Sequence, residues 1–185
     1  MKQSYHHGDL RKAVLAAAVE VIEESGPGAV NLRDLARRVG VSHAAPAHHF
    51  GDKAGLLTAL ATEGYDLLTG ALQRVEPSDL REAGVAYVTF AVEHRAHFAV
   101  MFRLDLLRTD DAALQTAQAR SEAALGAAVA GVAEPGDDIV VLSTAAWSLV
   151  HGFATLWLQG VLPAELGNDV HTAARAVAGM LSGVR

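Results

Sequence analysis

The sequence predicts an all-α chain of about nine helices, with a small three-helix head at the N-terminal end and a larger helical region after it. Three observations carry this. Alternating runs of β-branched and aromatic residues, the mark of strands, are missing, while the good helix formers alanine, leucine, arginine and glutamate are abundant. Apolar residues recur at helical spacing. Glycine and proline fall between those stretches and end them. A chain of 185 residues, 51% of them hydrophobic, suits one compact unit or two small ones.

The first helix is read from Leu10, Val14, Ala17, Ala18, Val21 and Ile22, with Asp9 placed to cap it and Gly26-Pro27-Gly28 to end it. Asn31 caps a short second helix whose Leu32, Leu35, Ala36 and Val39 face inward, and Gly40 supplies the left-handed turn after it. Ser42 is placed to cap a third helix of about two turns ending near Phe50. Gly51 and Asp52 then open a longer helix carrying Leu56, Leu57, Leu60, Leu67 and Leu68 and running to Val75. Two short helices joined by a tight glycine turn make a helix-turn-helix. Further helices are expected over 78–93, 97–107, 110–132, 137–160 and 169–182, separated by Pro77, Pro135-Gly136 and Pro163.

Composition excludes several classes. With no cysteine there is no disulfide and no thiolate chemistry, and zinc would have to be held by histidine and carboxylates. The polar, histidine-rich start has no apolar core of the kind a secretory signal needs, so a cytoplasmic protein is expected. A net charge of -6 argues against coating nucleic acid by bulk electrostatics. Charge is uneven, however: residues 1–60 hold seven Lys/Arg against six Asp/Glu, and the rest hold eight against fifteen. Five of the nine histidines, His6, His7, His43, His48 and His49, fall in the first sixty residues, where they add positive charge beside a polyanion. The stretch 139–164 has no charged residue and is long enough to span a membrane. His151, Gln159 and its hydroxyl groups would need partners in lipid, and Asp137-Asp138 flank its start, so a helix buried in the core and in a subunit contact is expected instead.

The segment Asn31-Leu-Arg-Asp-Leu-Ala-Arg-Arg-Val-Gly-Val-Ser-His-Ala-Ala-Pro-Ala-His-His-Phe-Gly-Asp-Lys53 resembles the DNA-binding core of the TetR family of bacterial transcriptional regulators. It joins an Arg-Asp-Leu-Ala helix, a Gly-Val-Ser turn, a His-Phe close and a lysine three residues after the phenylalanine. Each part has a physical reason: Ala36 lets two helices cross closely, Gly40 takes the positive-φ turn, and Val41 and Phe50 plug the small core. The opening Tyr5-His-His-Gly-Asp-Leu-Arg11 and the later Trp147-Ser-Leu-Val-His-Gly152 resemble one subgroup of that family, marked by a Trp-His-Gly pattern in its C-terminal domain.

The resemblance implies a helix-turn-helix DNA-binding domain over 1–52 and an effector-binding and dimerisation domain over 53–185. It places Arg33, His43, Ala44 and Ala45 at base edges, puts Asn31, His48, His49 and Lys53 near phosphates, and makes Ser42 the cap of the recognition helix. Arginine can pair with guanine, alanine methyls can touch thymine, and helix N-termini and lysine attract phosphate. Ala47 departs from the family, which most often has tyrosine there, and removes one phosphate hydrogen bond worth about 1 kcal/mol. The recognition helix also lacks Lys and Arg, so somewhat weaker binding is expected. Arg37-Arg38 read as a solvated helix face, and the adjacent pairs His6-His7 and His48-His49 point too far apart to chelate, so no metal site is expected.

Tyr87, Phe90, His94, Met101, Phe102, Trp147 and His151, with Phe153, offer the apolar bulk and polar handles of an effector pocket, although aromatics at helical spacing also form plain core. Trp147 and His151 are i, i+4 neighbours, so their rings can meet. No catalytic arrangement and no cofactor motif emerges. The expected molecule is a homodimeric repressor joined through its last two long helices, the second carrying a close-packing stripe of Val170, Ala173, Ala174, Val177, Ala178 and Leu181. It would bind a near-palindromic double-stranded DNA operator and be released by a small-molecule effector. Two other classes fit the same residues: a helical small-molecule binding protein with a degenerate DNA unit, and a membrane-associated regulator anchored by 139–164.

Overall fold

The computed structural model describes residues 7–182, and among these the chain is all-helical, with nine α-helices and no strand. They are α1 (His7–Ser25), α2 (Leu32–Arg38), α3 (Ala44–Phe50), α4 (Lys53–Leu72), α5 (Leu80–Glu93), α6 (Arg95–Met101), α7 (Ala112–Ala130), α8 (Ile139–Gln159) and α9 (Val170–Ala178). The Tyr5-His6 part of the opening motif lies outside the described residues. Two compact units result: one takes the chain up to Gly64 together with Arg95–Gln115, the other takes Tyr65–His94 and the chain from Thr116 onward.

In the first unit, Val14, Ala17, Ala18, Val21 and Ile22 of α1 are buried, as are Leu35 and Ala36 of α2, Pro46 and Phe50 of α3, and Leu56, Leu57 and Leu60 of α4. Each fully buried leucine contributes about 1.5–3 kcal/mol. α1 runs from His7, and the side chain of Asp9, the expected cap, lies outside what the structure describes. Asn31 caps α2 as expected, its Oδ1 accepting from the Arg33 amide at 2.9 Å, and Gly40 takes φ 71°. Ser42 does not cap α3 with its hydroxyl. The capping position falls on His43, and Ser42 contributes only its carbonyl, which accepts from the Ala45 amide at 3.0 Å. Pro46 sits in the first turn, where amides have no helical partner, so its missing N–H costs nothing.

The expected helix over 97–107 is broken: α6 stops at Met101 and a 3-10 turn, Leu104–Leu106, follows. Arg103 and Asp105 hold that turn with paired hydrogen bonds of 2.9 and 2.8 Å. At the head of α4, the Asp52 Oδ1 accepts from the Gly55 amide at 2.9 Å.

In the second unit, α5 packs on α8 and α9 with Leu80, Ala83, Tyr87, Val88, Phe90 and Ala91 buried. Gly84 makes the crossing possible, since a Cβ there would stand 2.9 Å from the Ala178 Cβ and 3.1 Å from Val150. Arg175 of α9 and Glu82 of α5 form a paired ion pair across it, with Nη2 to Oε2 at 2.9 Å. The small residues of the α9 stripe are therefore used inside the chain. Ala173, Ala174 and Ala178 are buried against this unit's own helices, while Val170, Val177 and Leu181 of the same stripe stay half-buried. α8 buries Ala146, Val150, Phe153 and Ala154 and leaves Ile139, Val140, Val141, Trp147 and Leu156 exposed. It is long and apolar enough to cross a membrane by length and composition.

Gly55 is the tightest contact in the first unit, because a Cβ there would fall 1.9 Å from the Phe50 carbonyl oxygen. Gly55→Ala should lower unfolding free energy by about 1–3 kcal/mol, as over-packing against backbone does. Urea denaturation checks this, and an unchanged midpoint contradicts the contact.

Candidate functional site

The first unit presents α3 with one face down and one face out. Pro46 and Phe50 are buried and Ala45 and His49 half-buried, while His43, Ala44, Ala47 and His48 are exposed. His49 turns towards Phe50, with ring centroids 6.4 Å apart, and stands edge-on to His48 at 5.9 Å. No Lys, Arg, Asp or Glu lies on α3.

Positive charge comes from the flanks. Arg33, at the start of α2, is exposed, and among the described residues no carboxylate pairs with it. Arg37 is bound to Asp34 at 2.9 Å, and Arg38 reaches Glu24 at 3.5 Å and Glu20 at 3.9 Å on α1, so both act within the chain. Lys53, at the first position of α4, donates to the Gly28 carbonyl at 2.7 Å, tying α4 to the turn after α1 and leaving two further N–H donors. Arg11 stacks over the Phe50 ring at 5.9 Å.

The second unit brings together three residues singled out in the sequence. The Trp147 indole donates to the Tyr87 hydroxyl at 3.1 Å, and that hydroxyl lies 2.8 Å from His151 Nδ1. An indole N–H can only donate. The Tyr87 oxygen therefore accepts from Trp147, and its bond with Nδ1 runs in the direction the imidazole tautomer sets. The two α8 rings meet edge-on at 5.7 Å, as their i, i+4 spacing implies. Burial pushes the Tyr87 phenol well above its ordinary pKa, and burial lowers that of His151.

Phe90 and His94, 5.3 Å apart, line a separate cavity of about 500 Å³ with Arg74, Thr89, His171 and Arg175. Tyr87, Trp147 and His151 do not line it. Met101 and Phe102 belong to the first unit: Met101 is fully buried there beside Gly64, and Phe102 packs edge-on against Phe98 at 5.4 Å. The arginines of this cavity and of a larger one of about 690 Å³, which also holds Arg81 and Arg175, were not singled out in the sequence. Nothing in their spacing marks them, because the turn after α4, α5 and α9 supply them separately.

His151 carries a pH dependence. Its folded pKa lies below the ordinary 6.5, so the unfolded chain binds the proton first and stability is lost as pH falls through about 6.5. His151→Gln should reduce the drop in thermal midpoint between about pH 7.5 and about pH 5. Equal drops in both proteins would remove His151 as its source.

Comparison with known proteins places the chain. Residues 14–60 match the family profile described as bacterial regulatory proteins, tetR family, and residues 80–181 match the profile described as tetracyclin repressor-like, C-terminal domain. The HTH-type transcriptional repressor Rv3405c of Mycobacterium tuberculosis is 35% identical over 74 residues, 40% of this chain and 39% of that protein. The stretch shared with such curated relatives spans less than half of their length. Among solved structures, a Rhodococcus sp. RHA1 protein of unknown function superposes with TM-score 0.81 at 33% identity, over 98% of each chain. A bacterial regulatory protein in the tetR family from Rhodococcus RHA1 shares the fold, with TM-score 0.75 at 23% identity over 94% of this chain and 95% of its own. With its helix-turn-helix matched by one profile and more than half its length by the other, the chain belongs to the TetR family of bacterial transcriptional regulators.

Proposed function

We propose that the chain is a ligand-responsive transcriptional repressor that binds a near-palindromic operator as a homodimer and leaves it when a small-molecule effector binds. The carrying observation is the posture of α3, whose Pro46 and Phe50 hold it down while His43, Ala44, Ala47 and His48 face outward, the arrangement a major-groove reader needs. Residues 1–52 take the DNA-binding role and 53–185 the effector and dimer roles. Arg33, His43, Ala44 and Ala45 read base edges. Asn31, Ser42, His48, His49 and Lys53 sit by phosphates or shape the helix that does. Such a protein works where its DNA is, in the cytoplasm, and needs no catalytic chemistry.

The dimer reading is supported by the uncharged outer face of α8. Val140 and Val141 are 74% and 61% exposed, and Trp147 and Leu156 further along α8 are 40% and 42% exposed. Apolar residues gathered on one face mark a contact surface, and a second copy of the same face covers it by two-fold symmetry. The effector reading rests on the cavities of the second unit, where Phe90 and His94 supply apolar wall and polar handle. Release requires an effector that prefers the conformation with the poorer fit to DNA.

Selection of bound duplexes from a random pool at two salt concentrations should return one palindromic site, and absence of any enriched sequence overturns the reading. On that site Ala47→Tyr should tighten binding about fivefold by restoring one phosphate hydrogen bond; equal or weaker binding in a gel-shift titration contradicts the anchor argument. Val140→Glu should convert the dimer to monomer in size-exclusion with light scattering, and a dimer that persists places the interface elsewhere.

A further inference from the structure

The turn between α3 and α4 is gripped from outside the helix-turn-helix. Arg108 lies in the segment between the 3-10 turn Leu104–Leu106 and α7, over fifty positions along the chain from that turn. It is held at two points. Its backbone amide donates to Thr58 Oγ1 on α4 at 2.9 Å, and that hydroxyl donates onward to the Ala54 carbonyl at 2.7 Å. Its guanidinium meets Asp52 Oδ2 at 2.9 Å. The other oxygen of that carboxylate is the one that caps α4 through the Gly55 amide. One aspartate, two residues past the end of α3, thus ties the head of α4 to Arg108.

The neighbouring glycines make room for the guanidinium. A Cβ on Gly51 would stand 3.1 Å from Arg108 Nη2, and one on Gly55 would stand 3.1 Å from Nη1. The Gly55 amide first and Arg108 second hold the Asp52 carboxyl below the usual carboxylate range, so the pair stays charged at neutral pH. An exposed ion pair on flexible side chains is worth little, chiefly because ordering them costs entropy. Here the Thr58 bond fixes the backbone from which the guanidinium reaches Asp52.

We propose that Arg108 is a positioning residue for operator binding: through Asp52 it sets the pose of α3 and of the Lys53 end of α4, so the 107–111 segment controls how well the recognition helix fits the groove. This rests on the operator reading above and adds to it a point of regulation. It also makes a prediction of opposite sign to simple electrostatics. Asp52 is a negative charge beside a DNA-binding edge, so removing it should tighten binding if it acts only by repulsion. If it is the latch for Arg108, removing its charge should weaken binding.

The test is fluorescence anisotropy of the full chain on the selected duplex across a salt series. Asp52→Asn keeps an oxygen for the Gly55 amide and loses the ion pair. It and Arg108→Ala should each weaken binding about threefold to fivefold, the range an exposed pair supplies. The double variant should be no weaker than either single one, Arg108→Lys should regain part of the loss, the salt slope should stay at the wild-type value, and the thermal midpoint should fall by no more than about 2–4 °C. Tighter or unchanged binding by Asp52→Asn overturns the latch. So does a salt slope reduced by about one in Arg108→Ala, which identifies Arg108 as a phosphate contact. A wild-type chain that enriches no duplex overturns the operator reading and the latch with it, whereas specific binding indifferent to both variants overturns the latch alone.

Discussion

A helix of seven residues is unstable in water by itself, since nucleation is costly and few internal hydrogen bonds follow. The position of α3 is therefore set entirely by what it rests on. Pro46 and Phe50 bury its inner face, Leu35 and Ala36 form the floor, and Gly55 admits the Phe50 carbonyl at a distance no side chain would allow. Every other property of the DNA-reading surface depends on that seat. Exposure of His43, Ala44, Ala47 and His48 follows from which residues are pinned underneath.

The reading face carries little charge of its own. The positive charge beside it comes from Arg33 and from Lys53 at the head of α4, while Arg37 and Arg38 are occupied by Asp34, Glu20 and Glu24. Such an interface relies on geometry more than on bulk attraction. Holding the α3–α4 turn through Asp52 and Arg108 has more effect there than it would beside a strongly basic helix.

The second unit solves a different packing problem. Gly84 brings α5 close enough to α8 and α9 for the small residues of α9 to close the gap, with the Glu82 and Arg175 pair across the crossing. What remains outside is the uncharged outer face of α8, with Trp147 at its edge bonded inward to Tyr87 and His151. Trp147 and His151 both bond the Tyr87 hydroxyl, which is how the phenol can be buried at small cost.

Much of this was written in local sequence. Helix boundaries followed from Asn31, Gly26, Gly40, Asp52 and the prolines, because capping and left-handed turns depend on a few adjacent residues. The helix-turn-helix was legible because its spacing is local, and the meeting of Trp147 with His151 because both lie on one helix turn. Tertiary structure alone decided the rest. It shifted the α3 cap from Ser42 to His43, broke the stretch after Met101, buried the alanines of the α9 stripe, and gave Met101 and Phe102 to a different compact unit from Tyr87, Trp147 and His151. It also brought Arg108 to Asp52. The physical reason is common to all of these: a helix face has several surfaces it can pair with, and which one it meets depends on residues far away along the chain, whose placement no local spacing encodes.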